Sequence, residues 1–260
     1  MTSGGVEIAA TAVLLLALAG FLAGWIDAVV GGGGLVQLPA LLLVPGLSPV
    51  QALATNKLAG IMGTSVSAAT YYRRVHPDMR TATPMALAAL GGAAGGALLA
   101  SSLPAEVFRP VILVALVGVA VYTVARPTLG RATSLRWAGG RHLAGAVALG
   151  AGIGFYDGLL GPGTGTFLVI GLVAVLGYAF LEASAKAKIV NAATNLGALA
   201  VFAVQGAPLW KLGLIVGAAN IAGSYLGARM AVAKGSRFVR VVFMVVVGGL
   251  IVRLGWDVLG

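Results

Sequence analysis

An acidic residue inside an apolar run, followed closely by a glycine-rich break, occurs twice in this chain. The first copy is residues 24–34, GWIDAVVGGGG, with Asp27 before the break, and the second is residues 154–165, GFYDGLLGPGTG, with Asp157 before the break. The two acids are 130 positions apart, and the two glycine breaks keep the same spacing. Repetition at a fixed offset indicates an internal structural repeat, so two related halves are expected.

The apolar runs around these breaks indicate the environment of the chain. Hydrophobic residues make up 59% of the 260 positions and charged residues only 9%, against about 25% charged residues in soluble domains. So few charges cannot cover a water-facing surface, whereas apolar runs separated by short basic loops are typical of a polytopic α-helical membrane protein. The 40 glycines fit this class, because small residues let membrane helices approach closely.

Several classes of function are disfavoured by the same composition. The net charge of +10 does not indicate a nucleic-acid partner, because the basic residues stand between apolar runs, where they set membrane orientation. The absence of cysteine excludes thiol chemistry and disulfides. His76 and His142 lie in or beside loops without a second histidine at ligand spacing, so neither a metal site nor a cofactor is expected.

About eight to ten membrane elements are expected, and some of them are partial or re-entrant. The segment 35–44 reaches only about 15 Å as a helix, half of a bilayer core, and is predicted to be a half-helix. Ser48, Pro49 and Gln51 predict a capped helix start. The apolar segments are 8–30, 35–44, 49–72, 84–101, 107–125, 142–160, 164–178, 180–204, 211–231 and 241–256.

The charge pattern predicts how the halves are oriented. Residues 1–125 form the first repeat, 126–141 a basic linker, and 142–260 the second repeat. Five elements per half, an odd number, place the halves in opposite orientation, an architecture typical of secondary transporters. The basic loops 73–80, 126–141 and 229–240 are predicted to be cytoplasmic, which leaves both termini outside the cell.

Two lysines are candidates for the functional site. Lys57 stands nine residues after the Ser48 cap, about 13 Å into the core of the membrane, where an ionisable residue is a functional candidate. Lys188 is its counterpart in the second half. Each lysine shares a helix face with small polar residues. These polar residues are Thr64 in the first half and Asn191 and Asn195 in the second.

The glycine breaks provide a second component of the candidate site. The helices that follow them expose free N–H groups and positive dipole ends, which bind anions. Two such ends and two lysines suit a small oxyanion such as sulfite, a sulfonate or a carboxylate. Asp27 and Asp157 would balance the lysines or carry a coupling proton. The break residues assigned to the site are Gly32, Gly33, Gly34, Gly163, Thr164 and Gly165.

Other interpretations of the same residues stay open. Lys57 with Asp27, and Lys188 with Asp157, would also serve as purely structural ion pairs. A cation or metal carrier with the two acids as ligands is the alternative transporter, although buried lysines make a poor cation cage. A non-transporting scaffold does not need intramembrane charges. An intramembrane enzyme is the weakest alternative, because no cysteine, HExxH motif or histidine within a span is present.

These motifs resemble the sulfite exporter TauE/SafE family, also called the toluene sulfonate uptake permeases. The resemblance rests on the two acid-and-glycine stretches and on residues 54–57, ATNK, and covers nearly the whole chain. It implies a bacterial inner-membrane carrier with two repeated halves, mostly an exporter of sulfite, sulfonates or related organic anions. It also adds Thr55 and Asn56 to the site. The second half departs from ATNK, with Lys186 and Ala187 at the corresponding positions.

The leading hypothesis is a proton-linked secondary exporter of a small sulfur-containing or organic anion. Its expected partners are the anion, the lipid bilayer and a coupling proton, with a homo-oligomer also open.

Overall fold

A computed structural model of the chain describes residues 2–3, 6–7, 10–100, 130 and 132–259. Eight helices dominate these residues, and a minimal antiparallel ladder, Thr2–Ser3 with Val6–Glu7, precedes them. The predicted element 107–125 lies outside the described residues, as do residues 126–129 and 131 of the predicted linker 126–141. The helices are α1 (Ala10–Val30), α2 (Gly34–Leu42), α3 (Pro49–Val75), α4 (Met79–Ala100), α5 (Gly139–Leu159), α6 (Thr164–Gly171), α7 (Phe180–Val204) and α8 (Trp210–Leu259).

The helical bundle has the composition of a membrane protein. Among the described residues, α1, α4 and α7 are long and apolar enough to cross a bilayer. Large apolar side chains on these helices face outward, such as Leu14, which is 72% exposed, and Leu87, which is 67% exposed. An outward-facing apolar surface suits lipid rather than water. The prediction of an all-α polytopic membrane protein is therefore confirmed.

The start of α3 follows the predicted capping box. The Ser48 hydroxyl accepts a hydrogen bond from the Gln51 amide at 3.2 Å, and the Ser48 amide donates to the Gln51 side chain at 3.0 Å. Pro49 occupies the first helical position, where its missing N–H leaves no partner unsatisfied. The helix ends at Val75, three residues later than predicted, and His76 follows it with a left-handed backbone.

The start of α4 was predicted at residue 84 and lies at Met79 instead. Asp78 caps the helix, because its carboxylate accepts hydrogen bonds from the Arg80 amide at 3.0 Å and the Thr81 hydroxyl at 2.7 Å. The Thr81 hydrogen bond, together with the backbone N–H groups, holds the pKa of Asp78 below its usual value. Pro84 lies inside the helix and removes one backbone hydrogen bond, which the cap offsets.

The helices around the second glycine break begin and end close to the predicted positions. Helix α5 covers the predicted segment 142–160 and starts slightly earlier, at Gly139. Helix α6 begins at Thr164 as expected, and after Gly171 it continues as a π-helical segment, Leu172–Leu176. The predicted segment 164–178 is thus two joined pieces. Helix α7 has the predicted bounds, Phe180–Val204.

The predicted basic loop 229–240 is reduced to a break at a single residue. Two helices, which together span Trp210–Leu259 as α8, meet at Gly235, whose φ is 73° and ψ −170°. A break therefore lies inside the predicted loop, but both helices extend into it. Gly235 divides α8 into a first arm, 210–234, and a second arm, 236–259.

Glycine faces hold two helix pairs in close contact: α1 with the first arm of α8, and α4 with α5. A Cβ atom on Gly24 would lie 2.3 Å from the carbonyl oxygen of Asn220, and one on Gly154 would lie 2.3 Å from that of Ala89. Only residues without a side chain permit this approach. The two contacts correspond at offsets of 130 residues between the glycines and 131 between their partners.

Candidate functional site

The two glycine breaks contact each other inside the bundle. The Thr166 amide donates a hydrogen bond to the Gly31 carbonyl at 3.1 Å. A Cβ atom on Gly31 would lie 2.0 Å from the carbonyl carbon of Gly165, so no other residue fits there. Gly31 also has a φ of 87°, which favours glycine. This contact places the N-terminal ends of α2 and α6 in the same part of the interior.

Two buried ion pairs lie beside the breaks, and each of them joins the two halves of the sequence. Lys57 Nζ is 2.6 Å from Asp157 Oδ1, and Lys188 Nζ is 3.0 Å from Asp27 Oδ2. The alternative that paired Lys57 with Asp27 and Lys188 with Asp157 is therefore wrong. The partners are exchanged because α3 lies against the second break, where Lys57 approaches Gly161, and α7 lies against the end of α1.

A small polar cavity lies between the breaks and the ion pairs. Its volume is about 30 Å³, which suits a few water molecules. The cavity in this conformation is therefore narrower than an organic anion requires. The predicted site residues that line it are Asp27, Gly33, Gly34, Asn56, Lys57, Thr64, Asp157, Gly163, Thr164, Gly165, Asn191 and Asn195.

Three predicted site residues lie beside this cavity and do not line it. The Thr55 hydroxyl accepts a hydrogen bond from the Leu209 amide at 3.1 Å. Gly32 faces Val246 and Ile26. Lys188 is fully buried and donates both to the carboxylate and to the main-chain carbonyl of Asp27. These residues hold the surroundings of the cavity in place.

Two amide side chains that the sequence did not single out also line the cavity. Gln37 donates to the Asn56 side chain at 3.0 Å and accepts from Asn220 at 2.8 Å. Ser224 extends the chain by donating to Asn220 at 3.1 Å. This chain of hydrogen bonds connects α2, α3 and α8. The signals in the sequence were Gln37, the one polar residue of the segment 35–44, and Asn220 with Ser224 four positions later on the same helix face.

The amide face of α7 was predicted and lies against the cavity. The Asn195 side chain donates to the Asn191 carbonyl at 2.9 Å. On α3, the Thr64 hydroxyl donates to the Gly60 carbonyl at 2.8 Å. Neighbouring main-chain carbonyls thus fix the orientation of these side chains.

Asp157 has an unequal environment at its two carboxylate oxygens. Oδ1 lies 2.6 Å from Lys57 Nζ and 2.5 Å from the Thr164 hydroxyl. Oδ2 is buried and has no hydrogen-bond partner among the described residues. A buried carboxylate oxygen without a partner is unusual in a folded protein. Asp157 is therefore the one acid of the cavity that presents an unsatisfied buried oxygen within the described chain.

Lys186 occupies a separate polar cluster. Its side chain is 1% exposed, and its Nζ lies 4.4 Å above the centre of the Tyr178 ring. The Tyr178 hydroxyl is 2.8 Å from His142 Nε2. The cluster joins α5 and α7 and does not line the cavity.

Three charged side chains line the cavity: Asp27, Lys57 and Asp157. Each of the two acids faces a lysine ammonium. The described residues contain no group of three or more His, Cys, Asp or Glu side chains that could hold a metal. The neutral polar side chains of the lining are five amides and two hydroxyls: Gln37, Asn56, Asn191, Asn195, Asn220, Thr64 and Thr164.

Comparison with known proteins identifies the family. The family model described as "Sulfite exporter TauE/SafE" matches residues 16–254. A probable membrane transporter protein, ORF9, of a Sinorhizobium species is 38% identical over 245 residues, which cover 92% of this chain and 90% of that protein. No solved structure matches the chain.

Two further relatives have similar names and coverage. A probable membrane transporter protein of Haemophilus influenzae is 35% identical over 87% of this chain and 88% of its own length. The probable membrane transporter protein YfcA of Escherichia coli is 33% identical over 91% of this chain and 87% of its own length. The chain belongs to the sulfite exporter TauE/SafE family of membrane transporters.

Proposed function

We propose that this protein is a secondary transporter that carries a small sulfur-containing or organic anion, such as sulfite or a sulfonate, as a proton-linked exporter. The observation that supports this most directly is the cavity itself. It lies inside a membrane bundle, and a buried lysine, two acids and the ends of two broken helices surround it. Membrane helices rarely carry such groups without a transport role.

The proposed anion site combines one full charge with several neutral donors. Lys57 supplies the charge, and the positive ends of the α2 and α6 dipoles lie at the cavity near Gly34 and Thr164. Asn56 on α3 and Asn191 on α7 add side-chain amides to the lining of the cavity. Oxyanions with several equivalent oxygens, such as sulfite and sulfonates, suit a site with donors on several sides.

The proposed architecture consists of two inverted repeats, 1–125 and 142–260, joined by a cytoplasmic linker. The glycine contacts support it, because Gly24 with Asn220 corresponds to Gly154 with Ala89. The crossed ion pairs support it too. Asp27 corresponds to Asp157 and Lys57 corresponds to Lys188, so exchanging the two halves turns one ion pair into the other. We propose that both termini lie outside an inner-membrane bilayer and that substrate access alternates around the cavity.

Asp27 and Asp157 have a second role in this proposal. They neutralise the lysines when no anion is bound, so that the empty site carries no net charge. Either acid could also take up the coupling proton when an anion enters.

Release of loaded anions from proteoliposomes tests the function. Vesicles with the full-length protein are loaded separately with sulfite, methanesulfonate or a small carboxylate, with and without a pH gradient. We expect protein-dependent release, and we expect Lys57→Ala to reduce it by at least about tenfold, which corresponds to about 1.4 kcal/mol. Lys211→Ala is the matched control, because Lys211 is exposed at the start of α8.

The outcomes separate the alternatives. Wild-type release in both Lys57→Ala and Lys188→Ala would overturn the proposed site. Release of no anion by the wild-type protein would overturn the anion function and favour a cation carrier, for which Asp27→Asn is the next variant.

A further inference from the structure

We infer that the two ion pairs have different roles: Asp157 carries the coupling proton and releases Lys57 to the anion, whereas Lys188 and Asp27 form a fixed structural lock. This inference rests on the proposed function and makes it more specific. It predicts that one proton and one monovalent anion bind together and cross the membrane together.

The environment of Asp157 suits both of its protonation states. The Thr164 hydroxyl has a single proton and two acceptors within reach, Asp157 Oδ1 at 2.5 Å and the Gly161 carbonyl at 2.9 Å. With Asp157 ionised, the hydroxyl donates to the carboxylate. With Asp157 protonated on Oδ1, the acid donates to the hydroxyl, which then donates to Gly161. Asp157 Oδ2 has no partner among the described residues and offers a second position for the proton.

Lys57 is held by Asp157 alone, so protonation would release it. Among the described residues, the Asp157 carboxylate is the one hydrogen-bonding or ion-pair partner of Lys57 Nζ. Lys57 also lines the cavity. Asp27 also lines the cavity and attracts Lys57, but it is already paired with Lys188. Once Asp157 is neutral, an anion in the cavity therefore compensates the ammonium. Binding of the proton and binding of the anion therefore favour each other.

Lys188 cannot be released in the same way. Its ammonium donates to the main-chain carbonyl of Asp27 as well as to the carboxylate. Protonation of Asp27 would remove one of these contacts and leave the other. Lys188 does not line the cavity and is fully buried. The pair therefore fixes the end of α1 against α7.

The two repeats differ in the residues that stand beside their acids. Thr164, which supports Asp157, corresponds to Gly34 at an offset of 130 residues, and glycine has no hydroxyl for Asp27. The cavity-lining amides Asn56 and Gln37 correspond to Ala187 and Phe167. The two halves thus place different chemistry beside their acids, which is expected if only one acid titrates during transport.

Other ionisable groups around Asp157 do not replace it as the proton carrier. Asp27 on α1 and Lys188 on α7 neutralise each other. Tyr156 donates its hydroxyl proton to the Pro162 carbonyl at 2.6 Å. Between Thr81 and Ala100, α4 contains no ionisable residue, although it packs on α5 near Asp157. Lys57 on α3 is the one charged group in contact with Asp157 among the described residues.

The proposed step is balanced in charge and in protons. A proton enters the cavity and joins the Asp157 carboxylate, which becomes a neutral acid. The Lys57 ammonium keeps its own proton and pairs with the incoming anion. The site gains one positive and one negative charge, so the loaded carrier is as neutral as the empty one. The direction of flux then follows the combined proton and anion gradients: an inward proton gradient favours uptake, and export occurs when the outward anion gradient exceeds it.

Binding of methanesulfonate, which stays ionised at all accessible pH values, tests the inference. The affinity of the full-length protein in nanodiscs is measured by calorimetry from about pH 5 to about pH 9. For the wild-type protein, we expect affinity to fall about tenfold per pH unit once Asp157 is ionised. Asp157→Asn should bind with little pH dependence, and Asp27→Asn should keep the wild-type dependence.

Two further measurements keep the test decisive if Asp157→Asn does not fold. Calorimetry in two buffers of different ionisation enthalpy should show one proton taken up per anion on the alkaline side. Thr164→Val removes the hydroxyl that supports the Asp157 carboxylate, so the pH midpoint should move upward. A midpoint that does not move would contradict the role of Asp157.

The remaining outcomes separate this inference from the proposed function. Methanesulfonate binding by the wild-type protein without pH dependence would overturn the coupling and leave the anion site intact. Loss of the pH dependence in Asp27→Asn would overturn the division of roles. No binding of methanesulfonate, sulfite or acetate by the wild-type protein would overturn the proposed function together with the coupling.

Discussion

Lys188 and Asp27 make up the one of the two ion pairs between the halves in which the lysine also donates to the main chain of its partner. Lys188 is fully buried, and its ammonium donates to two oxygen atoms of Asp27. Removing only one partner of a buried ion pair leaves an uncompensated charge, which costs about 3–5 kcal/mol. The stability of the bundle should therefore depend strongly on Lys188.

The variant Lys188→Gln is expected to lower stability by about 3–5 kcal/mol. Thermal unfolding in detergent, followed by tryptophan fluorescence, measures the change. The double variant Lys188→Gln with Asp27→Asn should recover part of the loss, because no charge is left unpaired. Lys211→Gln is the control at an exposed lysine. An unchanged midpoint in Lys188→Gln would show that this pair is not a structural lock.

At the scale of single residues, the sequence predicted the charged groups better than their partners. Lys57 and Asp157 stand out because charge deep in a membrane helix is costly. The offset of the repeat gives corresponding positions but no distances, so the crossed pairing of Lys57 with Asp157 was not predictable. Gln37 and Asn220 were missed for a related reason. They lie on different helices, 183 positions apart, and only folding brings them together.

At the scale of elements, the contact between the two glycine breaks determines the geometry of the cavity. A Cβ atom added to Gly165 would lie 2.5 Å from the Cα atom of Gly31, which is a main-chain atom. Backbone atoms cannot rotate away from a clash as a side chain can. Even one added methyl group should therefore separate the ends of α2 and α6.

The variant Gly165→Ala is expected to destabilise the fold by about 1–3 kcal/mol or more, because of overpacking, and to abolish transport. Gly152→Ala is the matched control on α5, because no atom lies within 4 Å of its added Cβ. This control should be neutral or stabilising by up to about 1 kcal/mol. Thermal unfolding and anion release are compared for both. Wild-type stability and transport in Gly165→Ala would contradict the close contact of the breaks.

The sequence predicted the end of a helix correctly where the residues that cap it lie a few positions apart in the chain. The Ser48 capping box predicted the start of α3, because the two hydrogen bonds involve residues three positions apart. Pro84 was misleading for α4, since the actual cap, Asp78, lies six positions earlier. The basic region 229–240 contains the break at Gly235, as predicted, but most of its residues are helical. Basic residues indicate the membrane boundary and do not by themselves end a helix.

At the scale of the whole molecule, the orientation of the two halves in the membrane is predicted from the positions of the basic residues, and it stays a prediction. Arg74 lies in the last turn of α3, in a basic region predicted to be cytoplasmic, and Gln205 follows α7 on the predicted outer side. Both side chains are exposed. The chain has no cysteine, so a single introduced cysteine has no background.

Labelling of single cysteines in spheroplasts with a membrane-impermeant maleimide tests this orientation. Gln205→Cys should react in intact spheroplasts, and Arg74→Cys should react only after permeabilisation. The cysteine-free wild-type protein is the control. Labelling of Arg74→Cys in intact spheroplasts would reverse the proposed orientation. Labelling of both variants there would contradict the expected number of spans between them.

The central claim is that this cavity moves an anion across the membrane together with a proton. Proteoliposomes with equal methanesulfonate on both sides receive an imposed pH gradient, and internal methanesulfonate is followed over time. The account predicts accumulation on the alkaline side in wild-type vesicles and none in Lys57→Ala. Methanesulfonate that stays equal on both sides in wild-type vesicles, although the protein exchanges it, would contradict proton-linked transport through this site.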